Sequence, residues 1–152
     1  MSKPQKLTLA GVKREGRKAL QAGTLSIFSK EPACVYTTED GCHCVIGASF
    51  TPETLGAVKE HDGNLSRIYV LRDKGIVDYD RRVEQSISAL QCYHDSVCSL
   101  AVDYLKWGGL RSAMTAESLN RAYEHFCLLL GIKTGDLAFI PSPTLHHNGQ
   151  GA

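Results

Sequence analysis

Long apolar runs are absent from this sequence. None approaches the roughly 18 residues of a membrane-spanning helix, so a span is not expected. The opening stretch, MSKPQKLTLAGVKREG, holds no apolar segment long enough for a signal peptide, which points to the cytoplasm. In that compartment the six cysteines are expected as reduced thiols. Phosphate-cradling loops are missing as well: no GxGxxG follows a strand pattern, and no GxxxxGK(S/T) occurs. Charge of one sign is also lacking. The net charge is +1, neither the strongly basic balance usual for gripping bulk DNA nor the strongly acidic one of a DNA mimic. No repeat or second-domain linker is visible.

What is present describes one globular domain. The chain has 152 residues, 43% apolar and 22% charged, enough to bury a core without metal or disulfide support. The charge is unevenly placed. Residues 1–30 carry seven Lys or Arg against Glu15 alone, a net +6, while residues 31–80 carry nine Asp or Glu against four Lys or Arg, a net −5. Residues 81–152 balance at six of each. That separation suits a protein partner, or self-association of a basic face with an acidic one.

The periodicities give an α+β chain, mainly α, with five or six helices around one core and a small antiparallel β-hairpin near residues 33–47. Residues 1–6 are expected to be disordered, 7–140 to form the globular domain, and 141–152 to be a flexible tail. Leu7–Ala22 reads as a helix weakened by Gly11 and Gly16 and stopped by Gly23. Cys34–Thr37 and Cys42–Ile46, joined by Glu39-Asp40-Gly41, read as the hairpin, with a short buried helix near His43 as the rival. Thr51-Pro52-Glu53 sets an N-cap, a first-turn proline and an acidic residue for a helix to about Glu60. Asn64 caps Leu65–Lys74. Asp78 or Asp80 starts a helix ending near His94, and Asp95 caps another, Ser96–Trp107. Thr115 caps Ala116–Leu130, with Gly131 as its C-terminal stop.

The stretch Gly41–Phe50, GCHCVIGASF, concentrates the candidate chemistry. Cys42, His43 and Cys44, with Cys92, His94 and Cys98, invite a metal reading, but C-x-C lacks the two to four intervening residues usual in structural zinc pairs. Buried thiols are the simpler expectation, with no metal and no cofactor. A cysteine nucleophile would need Cys34, Cys42 or Cys44 within reach of His43, His94 or His125. His94-Asp95 resembles an acid–base pair, although a cap explains Asp95. His146-His147 falls in the tail.

Two short motifs, Cys44-Val45-Ile46-Gly47-Ala48 leading to Thr51-Pro52-Glu53, and Leu90-Gln91 followed by His94-Asp95, resemble a loose family of small phage and mobile-element proteins. The likeness covers roughly Cys42–Asp95 and departs at Ala48-Ser49-Phe50. It carries over no catalytic residue. It implies a non-catalytic binder of phage type in the host-cell cytoplasm, dimeric in many such cases, which blocks a host protein or a defence ribonucleoprotein such as a CRISPR surveillance complex. The expected contacts are the basic face of the first helix, Lys13, Arg14, Arg17 and Lys18, with Tyr79 and Trp107 as aromatic anchors. The alternative is a winged-helix DNA-binding regulator using residues 51–77, with Ser66, Arg67, Arg72 and Lys74 on the nucleic acid. A Cys- or metal-dependent enzyme is the third reading.

Overall fold

The computed structural model describes residues 3–29, 32, 35–61, 67–106 and 112–132 (backbone alone at 106 and 112–115). Local signals start most of the helices. The Thr8 hydroxyl accepts from the Gly11 N–H at 3.0 Å and begins α1, Leu9–Ala22. Gly23 closes it, with the Thr24 N–H reaching back to the Ala19 carbonyl at 2.9 Å. The Thr51 hydroxyl accepts from the Thr54 N–H at 3.1 Å and begins α2, Pro52–Glu60. Three further helices follow: α3, Ile68–Asp73; α4, Glu84–Lys106; and α5, Ser112–Leu129. The described residues are thus mainly helical, with one small sheet. No helix among them is long and apolar enough to cross a membrane.

The sheet is not the expected hairpin. Its two strands, β1 (Gln5–Lys6) and β2 (Val77–Asp78), pair in parallel, with Gln5 opposite Val77. Gln5 and Lys6, expected to fray, are therefore ordered. The Gln5 amide reinforces this by donating to the Ser49 carbonyl at 2.8 Å and accepting from the Thr51 N–H at 3.0 Å. Around residues 35–47, antiparallel pairing is one bridge, Thr37 with His43. It cannot extend, because the other side of His43 bonds Thr24 and Ser26, and the chain then winds into a 3-10 turn over Gly47–Ser49. Residues 33 and 34 of the expected hairpin lie outside the described residues.

Two helix boundaries also differ. The expected break at Asp95 does not occur, since α4 runs unbroken for 23 residues. Asp95 turns its carboxylate sideways, accepting from Gln91 Nε2 at 2.7 Å and His94 Nδ1 at 3.2 Å, so it caps nothing. Asp80 instead caps a 3-10 turn, Arg81–Val83, that feeds into α4. Thr115 lies inside α5, not at its start.

α4 and α5 pack on each other, with the Phe126 ring edge-on to His94 at 5.7 Å. α1 meets the 35–47 segment and the end of α5 at Gly16. A Cβ there would stand 2.8 Å from Val45 Cγ2 and 3.1 Å from Leu130 Cδ2, so the glycine that weakens the helix is what lets it approach. The next residue, Arg17, donates from Nη1 to the Leu130 carbonyl at 2.8 Å, satisfying an acceptor at the end of α5.

Candidate functional site

Cys44 follows the Thr37–His43 bridge into the core, where it is fully buried. Its sulfur accepts from the Gly47 N–H at 3.2 Å. Burial pushes the thiol up to about 12, a shift that the Gly47 hydrogen bond only partly offsets. Gly47 is required because a Cβ there would overlap the Tyr36 carbonyl oxygen. Tyr36 is itself buried. Desolvation raises its phenol first, and the neighbouring Cys44 and Asp95 add to this.

Facing this segment, α4 presents Ser88, Gln91, Cys92, Asp95, Ser96 and Ser99 along one face at three- and four-residue spacing. Between the two lies a cavity of about 760 Å³, walled on its apolar side by Val35, Ile46, Ile68 and Leu100. That volume falls within the span of small-molecule pockets, about 300–1,000 Å³. Tyr36, Arg67 and Tyr69 complete the lining. The carboxylate of Asp95 is fixed in this space by Gln91 and His94, and Gln91 Oε1 is buried with no hydrogen-bond partner among the described residues.

Immediately behind the cavity is a closed polar cluster. His94 is fully buried, with Nε2 3.3 Å from Ser26 Oγ and Nδ1 3.2 Å from Asp95 Oδ1. A proton on Nδ1 satisfies both contacts, donating to Asp95 and leaving Nε2 to accept from Ser26. The order Ser–His–Asp matches a nucleophile relay, but Ser26 is fully buried too, so no substrate reaches its hydroxyl. The cluster pins the 3-10 turn Ser26–Phe28 to α4.

Of the expected metal set, Cys98 lies 3.9 Å from His94 Nδ1, His43 faces Thr37, and Cys92 is exposed. Among the described residues no group of three His, Cys, Asp or Glu side chains is placed to hold a metal ion. The cysteine–histidine reading fares poorly on geometry: burial raises the thiols of both Cys42 and Cys44, His43 faces Thr37, His94 is sealed in the core, and His125 stacks on Tyr93 at 4.5 Å. Cys34, His146 and His147 lie outside the described residues.

Of the expected partner face, Arg17 and Tyr79 are engaged within the fold. Arg17 is bound to the end of α5, and Arg14 and Lys18 each lie 3.4 Å from Glu15. Lys13, Arg14 and Lys18 remain at the surface of α1. Tyr79 is no exposed anchor. It is buried, its hydroxyl donates to Glu84, and the Arg72 guanidinium stands 5.4 Å over its ring. Trp107 and Ser66 lie outside the described residues. For the DNA-binding alternative, α3 has only six residues, and β2 pairs in parallel with β1 instead of forming an antiparallel wing. Arg72 is committed to Tyr79 and to Asp78 at 3.6 Å, leaving Arg67 at the cavity and Lys74 beside the His61 carbonyl at 3.5 Å.

Sequence reading missed Tyr36, Ser26 and the α4 serines. The signal for the serines was the small polar stripe through 88–99, which a continuous helix aligns and two short helices do not. Compared with protein-family models, with curated proteins and with solved structures, the chain matches none.

Proposed function

We propose that this chain is a non-catalytic binding protein that engages its target through the cavity between the 35–46 segment, α3 and α4. One observation carries the reading. The two motifs singled out in the sequence, around Cys44–Gly47 and Gln91–Asp95, converge on one cavity, and the Cys44 thiol in its wall is buried and protonated. A protonated, hydrogen-bonded thiol packs well and attacks poorly. The finer reading is an inhibitor of phage type that occludes a host defence ribonucleoprotein. Its support is the sequence resemblance and the charge separation along the chain, with Lys13, Arg14 and Lys18 as a secondary contact.

The test uses purified full chain against a purified CRISPR surveillance complex, and in parallel as bait in a nuclease-treated bacterial lysate. Ser96→Trp fills the cavity from an exposed helical position, and Arg14→Glu/Lys18→Glu reverses the α1 face. The expected result is a stoichiometric partner lost with Ser96→Trp and weakened by the charge reversal. Equal capture by Ser96→Trp and the parent chain would remove the cavity from the binding surface.

A further inference from the structure

We infer that a second cavity, at the carboxyl ends of the two parallel strands, takes a phosphate monoester carried on a small apolar group, with Lys6 and Arg81 as its counter-charges. The topology fixes the place. β1 and β2 lie side by side in parallel, and one runs on into α1 while the other runs into the Arg81–Val83 turn that feeds α4. The walls of the cavity are these two exits, with Lys6, Leu7 and Leu9 from one and Tyr79, Arg81 and Val83 from the other. Ligands of larger parallel α/β sheets bind at this same end of the strands. The site shares no lining residue with the cavity between the 35–46 segment and α4, so it stands apart from the binding reading above.

Charge pairing sets the sign of the ligand. The charged side chains of the described lining are Lys6, Arg72, Arg81, Asp78 and Asp80. Asp78 accepts from the Tyr79 N–H at 2.9 Å and stands 3.6 Å from Arg72 Nε. Asp80 accepts from Arg82 Nη2 at 2.6 Å and from the Arg82 N–H at 2.9 Å, and these bonds hold its carboxyl well below the ordinary range. Each carboxylate therefore has a cation of its own. Lys6 and Arg81 have no such partner: among the described residues neither side chain makes a hydrogen bond or an ion pair. Two uncommitted cations match a dianion. A phosphate monoester carries about −1.5 to −2 at neutral pH and offers three acceptor oxygens, whereas a carboxylate or a phosphodiester carries one charge. The first turn of α1 holds no acidic residue, so its positive end adds to the same sign. Both cations are exposed and screened by water, which sets the expected affinity in the millimolar range. Leu7, Leu9, Val83 and the Tyr79 ring supply apolar wall, and the cavity, about 700 Å³, has room for more than the anion.

The experiment titrates the full chain with phenyl phosphate, phenyl methyl phosphate, benzoate and inorganic phosphate, following backbone amide shifts. The expected result is binding of phenyl phosphate at millimolar concentration, with shifts centred on residues 6–10 and 78–83 and the other three probes weaker by about threefold or more. Lys6→Gln and Arg81→Gln should each weaken phenyl phosphate about threefold, and the double variant about tenfold, with melting temperatures unchanged because neither side chain is bonded within the fold. Asp80→Asn should bind at least as tightly as the parent chain, since it removes a carboxylate and frees Arg82. Equal affinity for benzoate or phenyl methyl phosphate overturns the assignment to a dianion, and equal affinity for inorganic phosphate overturns the apolar group. No shift at the cavity, or unchanged affinity in the double variant, overturns the site itself.

Discussion

His94 and Asp95 are adjacent on α4, yet they face different environments. His94 points into the core, where Ser26 and Asp95 use both ring nitrogens and Phe126 packs edge-on. Asp95 lines the cavity, held by Gln91 and His94, with a third of its side chain exposed. A helix turns about 100° per residue, so one step is enough to move a side chain from a closed polar network to an open site. The closed half has its hydrogen bonds satisfied and contributes stability. The open half holds a carboxylate in fixed geometry at the cavity.

The floor shared by both halves is where a substitution should cost most. Gly47→Ala forces a Cβ into the Tyr36 carbonyl, which is backbone and cannot swing aside. A loss of about 3 kcal/mol is expected in urea denaturation; a loss under about 1 kcal/mol would show that the 36–47 contact is looser than described. The two neighbours separate next. His94→Ala strands the Ser26 hydroxyl and opens a void, and should cost about 2–3 kcal/mol. Asp95→Asn should cost well under about 1 kcal/mol by the same measurement. Equal losses would erase the distinction between closed and open halves.

Alkaline titration probes the thiol at their edge. The folded thiol of Cys44 is pushed up to about 12, while an unfolded thiol titrates near its ordinary value of about 8.5. The folded state therefore holds the proton that the unfolded state releases. Stability from this group is complete below about pH 8.5 and falls as pH rises toward 12, by up to about 1.4 kcal/mol per pH unit. Tyr36, also raised by burial, adds to the fall at higher pH. Urea midpoints between pH 8 and pH 10.5 should drop, and more steeply in the parent than in Cys44→Ala. Parallel slopes would mean that Cys44 is not sealed.

The smallest contrast lies on α1. Arg17→Ala removes the hydrogen bond to the Leu130 carbonyl and should cost about 1 kcal/mol. Arg14→Ala loses only an exposed contact with Glu15 and should stay within about 0.5 kcal/mol. Identical melting temperatures would return Arg17 to the free basic face.

These pairs show why the fold was more legible than the site. Arg14 and Arg17 look alike in the sequence, and only the position of Leu130, far along the chain, tells them apart. Tyr79 reads as a free aromatic until Arg72 and Glu84 close over it. Asp95 reads as a cap because its type and its place before an apolar run are those of a cap. The true continuation of α4 depends on Gln91 and His94 drawing that carboxylate sideways.

By itself the sequence determined the features that act within one or two helical turns. The Thr8 and Thr51 caps, the stop at Gly23, the amphipathic faces of α1 and α5 and the mainly helical class all come from neighbours three or four residues apart. Only the tertiary structure decided that Gln5–Lys6 would pair in parallel with Val77–Asp78, that Gly16 would stand against Val45 and Leu130, and that Cys44 and Asp95 would meet at one cavity. Those outcomes depend on chain segments brought together from far apart, and hydrophobic periodicity records which face of an element is buried but not what buries it.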